Sequence, residues 1–109
     1  MTILYEVNLV VDGDIVDEYR RWLSTHVQEM LALPGFLGAR ILESSELEIS
    51  EPGSSAAQTT FCTQYELVDQ AALDAYFRIH AGRMRADGIS RFGDRFSASR
   101  RVLREIGRY

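Results

Sequence analysis

The chain has 109 residues, 46% of them hydrophobic, a length and composition that suit one domain with a real core. Its net charge of −4, with no lysine anywhere, argues against a nucleic-acid surface, because an acidic protein gains little from counterion release. No apolar run approaches the roughly 20 residues of a membrane span, and the single cysteine, Cys62, excludes an intramolecular disulfide or a paired-cysteine metal site.

The opening stretch MTILYEVNLVV alternates and carries Glu6 and Asn8, so it reads as a strand and not as a signal peptide. No nucleic acid, no membrane and a cytoplasmic location are therefore expected. The charge is unevenly divided: 13 acids and 3 arginines lie in residues 1–77, against 3 acids and 9 arginines in 78–109. Pairing between an acidic and a basic half of one fold accounts for that division.

Residues 2–11 place Ile3, Tyr5, Val7, Leu9 and Val11 on one face, the period of two that marks a strand. Asp12-Gly13-Asp14 supplies a turn and an N-cap carboxylate, with Asp17 and Glu18 in the first helical turn, where the dipole favours them. Ile15, Tyr19, Trp22, Leu23, Met30 and Leu31 then follow helical spacing until Pro34-Gly35 stops the helix. A second strand is expected over 36–49 and a third over 58–68, joined by a hairpin loop at Pro52-Gly53.

Asp69 caps a second helix with Leu73, Tyr76, Phe77 and Met84 on its apolar side, and Gly82 and Gly88 predict a break near residue 88. In SRFGDRF, Gly93 serves as the helix exit, Asp94 pairs with Arg91 or Arg95, and Phe96 opens a last strand over about 94–106. The order β-α-β-β-α-β gives an α+β, ferredoxin-like fold in a single domain, residues 1–109. A four-stranded antiparallel sheet carries two helices on one face. Leu4, Val10, Cys62 and Val68 fall on the other face, which then needs cover of its own, and a second copy of the chain is the simplest cover. A homodimer is expected.

The segments RWLSTHVQEML and YFRIHAGRMRADGISRFGDRFSASRRVL resemble a family of small bacterial proteins of unknown function. Its members share a Trp and a His in the first helix and an H-A-x-x-x-R…RFGD-[RK]-F segment. That family resembles the dimeric α+β barrel superfamily, which includes antibiotic-biosynthesis monooxygenases, haem-degrading enzymes and small isomerases. The resemblance implies two ferredoxin-like subunits packed sheet to sheet, with a pocket between each sheet and its helices. It implies no particular reaction.

His26 and His80 are the only histidines, and each falls on an apolar helical stripe: His26 four residues from Trp22 and Met30, His80 four from Tyr76 and Met84. Imidazole exchanges protons near neutral pH, so both are candidate catalytic bases, although the same positions suit core histidines satisfied by carbonyls or water. No Asp or Glu shares their stripes, so no metal site is expected. Trp22, Tyr76 and Phe77 are candidate ligand-binding aromatics, or plain core.

Arg100 shares a strand face with Phe96, Ala98, Val102 and Ile106, where an unpaired guanidinium would be costly. Glu6 or Glu66 on neighbouring strands, or an anionic ligand, would satisfy it, and a bulge would put Arg101 in its place. The leading functional reading is a homodimer that binds a small apolar or aromatic, anionic molecule without a cofactor, with oxygenase or isomerase chemistry at a histidine. A non-catalytic dimeric module with a packed core is the rival, and haem binding through a histidine is a third reading.

Overall fold

The structure, a computed structural model, describes residues 2–44 and 58–109. Strand β1 runs Ile3–Asp12, helix α1 Val16–Leu31, β2 Phe36–Glu43 and β3 Gln58–Leu67, followed by α2 Gln70–Ile79, α3 Ala81–Phe92 and β4 Phe96–Arg104. The four strands form one antiparallel sheet in the order β2-β3-β1-β4. This is the expected α+β ferredoxin-like arrangement, with the second helical stretch divided in two. The expected hairpin at Pro52-Gly53 and the end of the second strand lie outside the described residues.

Period-two alternation decides which side of the sheet is core. Ile3, Tyr5, Leu9 and Val11 of β1 and Phe61, Tyr65 and Leu67 of β3 are buried under the helices. Helix α1 answers with Tyr19, Leu23, Val27 and Met30, all buried and spaced by four, four and three. Each such side chain contributes roughly 1.5–3 kcal/mol when fully withdrawn from water.

Three local expectations are corrected. Asp12 and Asp14 do not cap α1; a short 3-10 turn at Gly13–Ile15 precedes it, and both carboxylates bind Arg95 instead. Arg91 reaches Glu18 at 3.4 Å, so these two arginines tie the start of β4 and the end of α3 to the β1–α1 connection and not to Asp94. The break in the second helical stretch falls at His80, not near Gly88.

The reason for the break is register. Leu73 and Tyr76 are buried in α2, but the next buried residue is Ala81, five positions on, and Met84, Gly88 and Phe92 continue from it. A continuous helix turns about 500° over five residues, which would swing Ala81 off the buried face. His80 absorbs the slip at φ −116 while its N–H still reaches the Tyr76 carbonyl. Asp69 caps α2 as expected, accepting from the Ala72 N–H at 2.8 Å. Gly93 closes α3 at φ 59 and ψ −128, a conformation open to glycine and little else.

Among the described residues the far face of the sheet carries no helix. Leu4, Val10, Leu42 and Leu103 emerge there around a polar row that crosses all four strands. Arg40 donates to Gln64 at 2.8 Å, Gln64 to Glu6 at 3.0 Å, and Arg101 and Asn8 close on the same Glu6 carboxylate. Glu6 is only 3% exposed, and the Arg101 hydrogen bond, with Gln64 next, holds its pKa down at about 2.

Candidate functional site

Between the sheet and α1 and α3 lies a cavity of about 290 Å³. It occupies the space between sheet and helices where the family resemblance implies a pocket. Helix α1 supplies Tyr19, Trp22, His26 and Met30 at helical spacing, so one stripe forms one wall. Inward positions of the three strands β1, β3 and β4 make the floor, and Tyr76 and Met84 of α2 and α3 complete the enclosure.

Trp22 is held from several sides. Its Nε1–H donates to Asp87 of α3 at 3.3 Å, and the His26 ring stacks on it at 4.6 Å and 19°. Phe92 meets it edge-on at 5.6 Å. Gly88 makes this placement possible, since a Cβ there would stand 3.0 Å from the Trp22 ring. The small residue that predicted a helix break is instead the close-approach point between α1 and α3.

His26 is half-buried, and its Nδ1 is sealed from solvent with no hydrogen-bond partner among the described residues. Burial lowers its pKa, and the carboxylates of Asp87 and then Glu29 push the other way. One donor atom from each of these three residues lies within 4.8 Å of the other two. Glu29, three residues along the same helix, was within reach of sequence reasoning, whereas Asp87 arrives from a different helix. The result is a neutral imidazole at pH 7 with a carboxylate field behind it, an arrangement that can take up a proton.

The tyrosines cannot share that role. Burial raises the pKa of Tyr19 and Tyr65 and pushes Tyr76 up to about 12, so they remain neutral phenols. The positive charges of Arg85 and Arg100 oppose that rise at Tyr76 without overcoming burial.

Arg100 faces the helices, opposite Val7 in the β1–β4 ladder, which runs without a bulge. Arg101 takes the outer face and pairs with Glu6, so neither Glu6 nor Glu66 is the partner of Arg100. Among the described residues Arg100 has no carboxylate partner, and it lines the cavity with Trp22, His26 and Tyr76.

His80 and Phe77 lie elsewhere. His80 sits at the α2–α3 junction with Arg83 3.4 Å from its Nδ1, and Phe77 packs edge-on against Tyr5 behind the lining at 5.3 Å. Three lining or supporting residues were not singled out in the sequence: Thr63, Arg85 and Asp87. Thr63 carried a signal, the one aliphatic hydroxyl in the inward series Phe61, Thr63, Tyr65, Leu67.

Similar folds occur among solved structures. SnoaB, a cofactor-independent oxygenase from Streptomyces nogalater, superposes with a TM-score of 0.70 at 10% identity, over 99% of this chain and 97% of that one. A candidate antibiotic biosynthesis monooxygenase from Nitrosomonas europaea gives 0.70 at 11% identity, covering 96% and 90%. An ethyl tert-butyl ether D family protein from Bacillus halodurans gives 0.67 at 13%, covering 97% and 100%. These likenesses are of fold. No curated protein matches in sequence. Residues 2–106 match the model of the domain of unknown function DUF4286, and the chain belongs to that family.

Proposed function

We propose that the protein is a homodimeric small-molecule-binding protein whose cavity takes an apolar or aromatic, anionic ligand, with His26 as the proton acceptor. One observation carries this reading. A cavity of about 290 Å³ lined by aromatic rings keeps two sealed polar atoms, His26 Nδ1 and Thr63 Oγ1, without partners. Buried polar groups are normally satisfied, and leaving one unpaired costs about 1–3 kcal/mol. A ligand whose binding turns either side chain enough to reach its polar atom recovers that cost.

The chemistry that suits the site is removal of a proton from the ligand by neutral His26. The resulting anion either takes the proton back at another atom, as in an isomerase, or reacts with dioxygen, as in a cofactor-independent oxygenase. The oxygenase fold neighbour supports the second branch. A cavity of this volume suits one or two fused rings and is small for a tetrapyrrole, which disfavours haem as its occupant.

The test is native mass spectrometry of the purified protein beside Ala98→Phe, which fills the cavity from β4. A co-purifying small molecule retained by the wild type and absent from the variant is the expected result. Equal retention by both would remove the cavity from consideration. The dimer is proposed across the helix-free face, where Leu4, Val10, Leu42 and Leu103 give a monomer of this size apolar surface to cover.

A further inference from the structure

Thr63 is 1% exposed and lines the cavity, and among the described residues its hydroxyl has no hydrogen-bond partner. It pairs with Val7 on β1, and Val7 pairs with Arg100 on β4, so Thr63, Val7 and Arg100 form one row across three strands. Two strand spacings separate the ends of that row, about 10 Å. Val7 between them is apolar. Arg85, from α3, lines the same cavity with its guanidinium 5.9 Å from the Phe77 ring, and among the described residues it also has no carboxylate partner. The cavity thus has a sealed, unpaired hydroxyl in its floor on β3, an apolar middle at Val7, and two exposed arginines in its lining, Arg100 from β4 and Arg85 from α3.

We infer that the ligand is bifunctional. A carboxylate engages Arg100 and Arg85, a flat apolar body lies across the strands over Val7, and a hydrogen-bonding group at the far end meets the Thr63 hydroxyl. Thr63 and Arg85 are then ligand-binding residues of this site. The row sets the class of molecule: an aromatic acid with a hydroxyl or carbonyl some two strand widths from its carboxylate. A fork of guanidinium donors suits a carboxylate, and a sealed hydroxyl discriminates strongly, because a ligand lacking the matching group leaves it unpaired.

This inference rests on the cavity being a binding site, and the experiment separates the two claims. Three probes are titrated against labelled protein, followed by the indole N–H resonance of Trp22, the only tryptophan and a lining residue. The probes are para-coumarate, cinnamate, which lacks the hydroxyl, and methyl para-coumarate, which lacks the charge. The wild type should bind para-coumarate at least tenfold more tightly than either analogue. Thr63→Val should erase its advantage over cinnamate while leaving cinnamate affinity unchanged, and Thr63→Ser should restore it. Arg100→Leu and Arg85→Leu should each reduce the advantage over the ester.

Binding of all three probes with equal affinity, or a Thr63→Val variant that keeps the hydroxyl preference, would overturn the bifunctional ligand and leave a less selective binding site. No response to any probe, the neutral ester included, would overturn both claims.

Discussion

His26 is the residue on which the pH behaviour of the site turns. Burial lowers its pKa below the ordinary 6.5, so the folded state binds fewer protons there than the unfolded chain. Stability therefore falls as pH drops from about 6.5 toward the folded pKa, whereas any proton-abstracting activity falls as pH passes through the folded pKa itself. An NMR titration of the His26 ring should give an inflection below that of a free histidine. Asp87→Asn should move it lower still, since that carboxylate favours the charged ring. An inflection unmoved by Asp87→Asn would separate the two groups. The sequence placed His26 correctly beside Trp22 on an inward stripe, because helical spacing is local. It could not supply Asp87, 61 positions away on another helix, nor separate His26 from His80, whose stripe is cut by the register slip at its own position.

Among the elements, the exit of α3 depends on one backbone conformation. Nothing lies within 4 Å of a Cβ built on Gly93, so a side chain there meets no obstacle, only the strain of φ 59 with ψ −128. Gly93→Ala should destabilise the fold by about 1–3 kcal/mol, read as a lowered denaturation midpoint with unchanged slope. A cost near zero would show that the junction relaxes freely. The RFGD stretch was legible as a helix-to-strand joint from Gly93 and the flanking Phe92 and Phe96. The partners of its arginines were not, since Asp12, Asp14 and Glu18 reach them only once β1 and β4 are paired.

At the scale of the whole molecule, the outer face of the sheet carries both the proposed dimer contact and an acid-sensitive carboxylate. Sedimentation should give a dimer, and Leu4→Arg should give a folded monomer by placing a cation among the residues proposed to be covered. A wild-type monomer at micromolar concentration would dismiss the assembly. On the same face Glu6 is held at a pKa of about 2, against 4.5 for an ordinary glutamate. A depressed carboxylate pKa contributes stability that is present above about pH 4.5 and lost as pH falls toward 2. Glu6→Gln should flatten the acid limb of the stability profile between those values while leaving the His26 limb in place. An unchanged acid limb would show that the Arg40–Gln64–Glu6–Arg101 row adds nothing net.

The strand and helix periods, the turn glycines and the Asp69 cap were sufficient in sequence for the element order, the inward faces and the placement of Trp22 and His26. Those features act between neighbours a few residues apart, where periodicity and turn chemistry operate. Tertiary structure alone decided that Gly88 seats Trp22 and does not break a helix, and that Arg101 takes Glu6 and leaves Arg100 to the cavity. It also decided that the space under the helices stays open. Strand register and helix approach set each of these, and both arise from contacts between residues far apart in the chain.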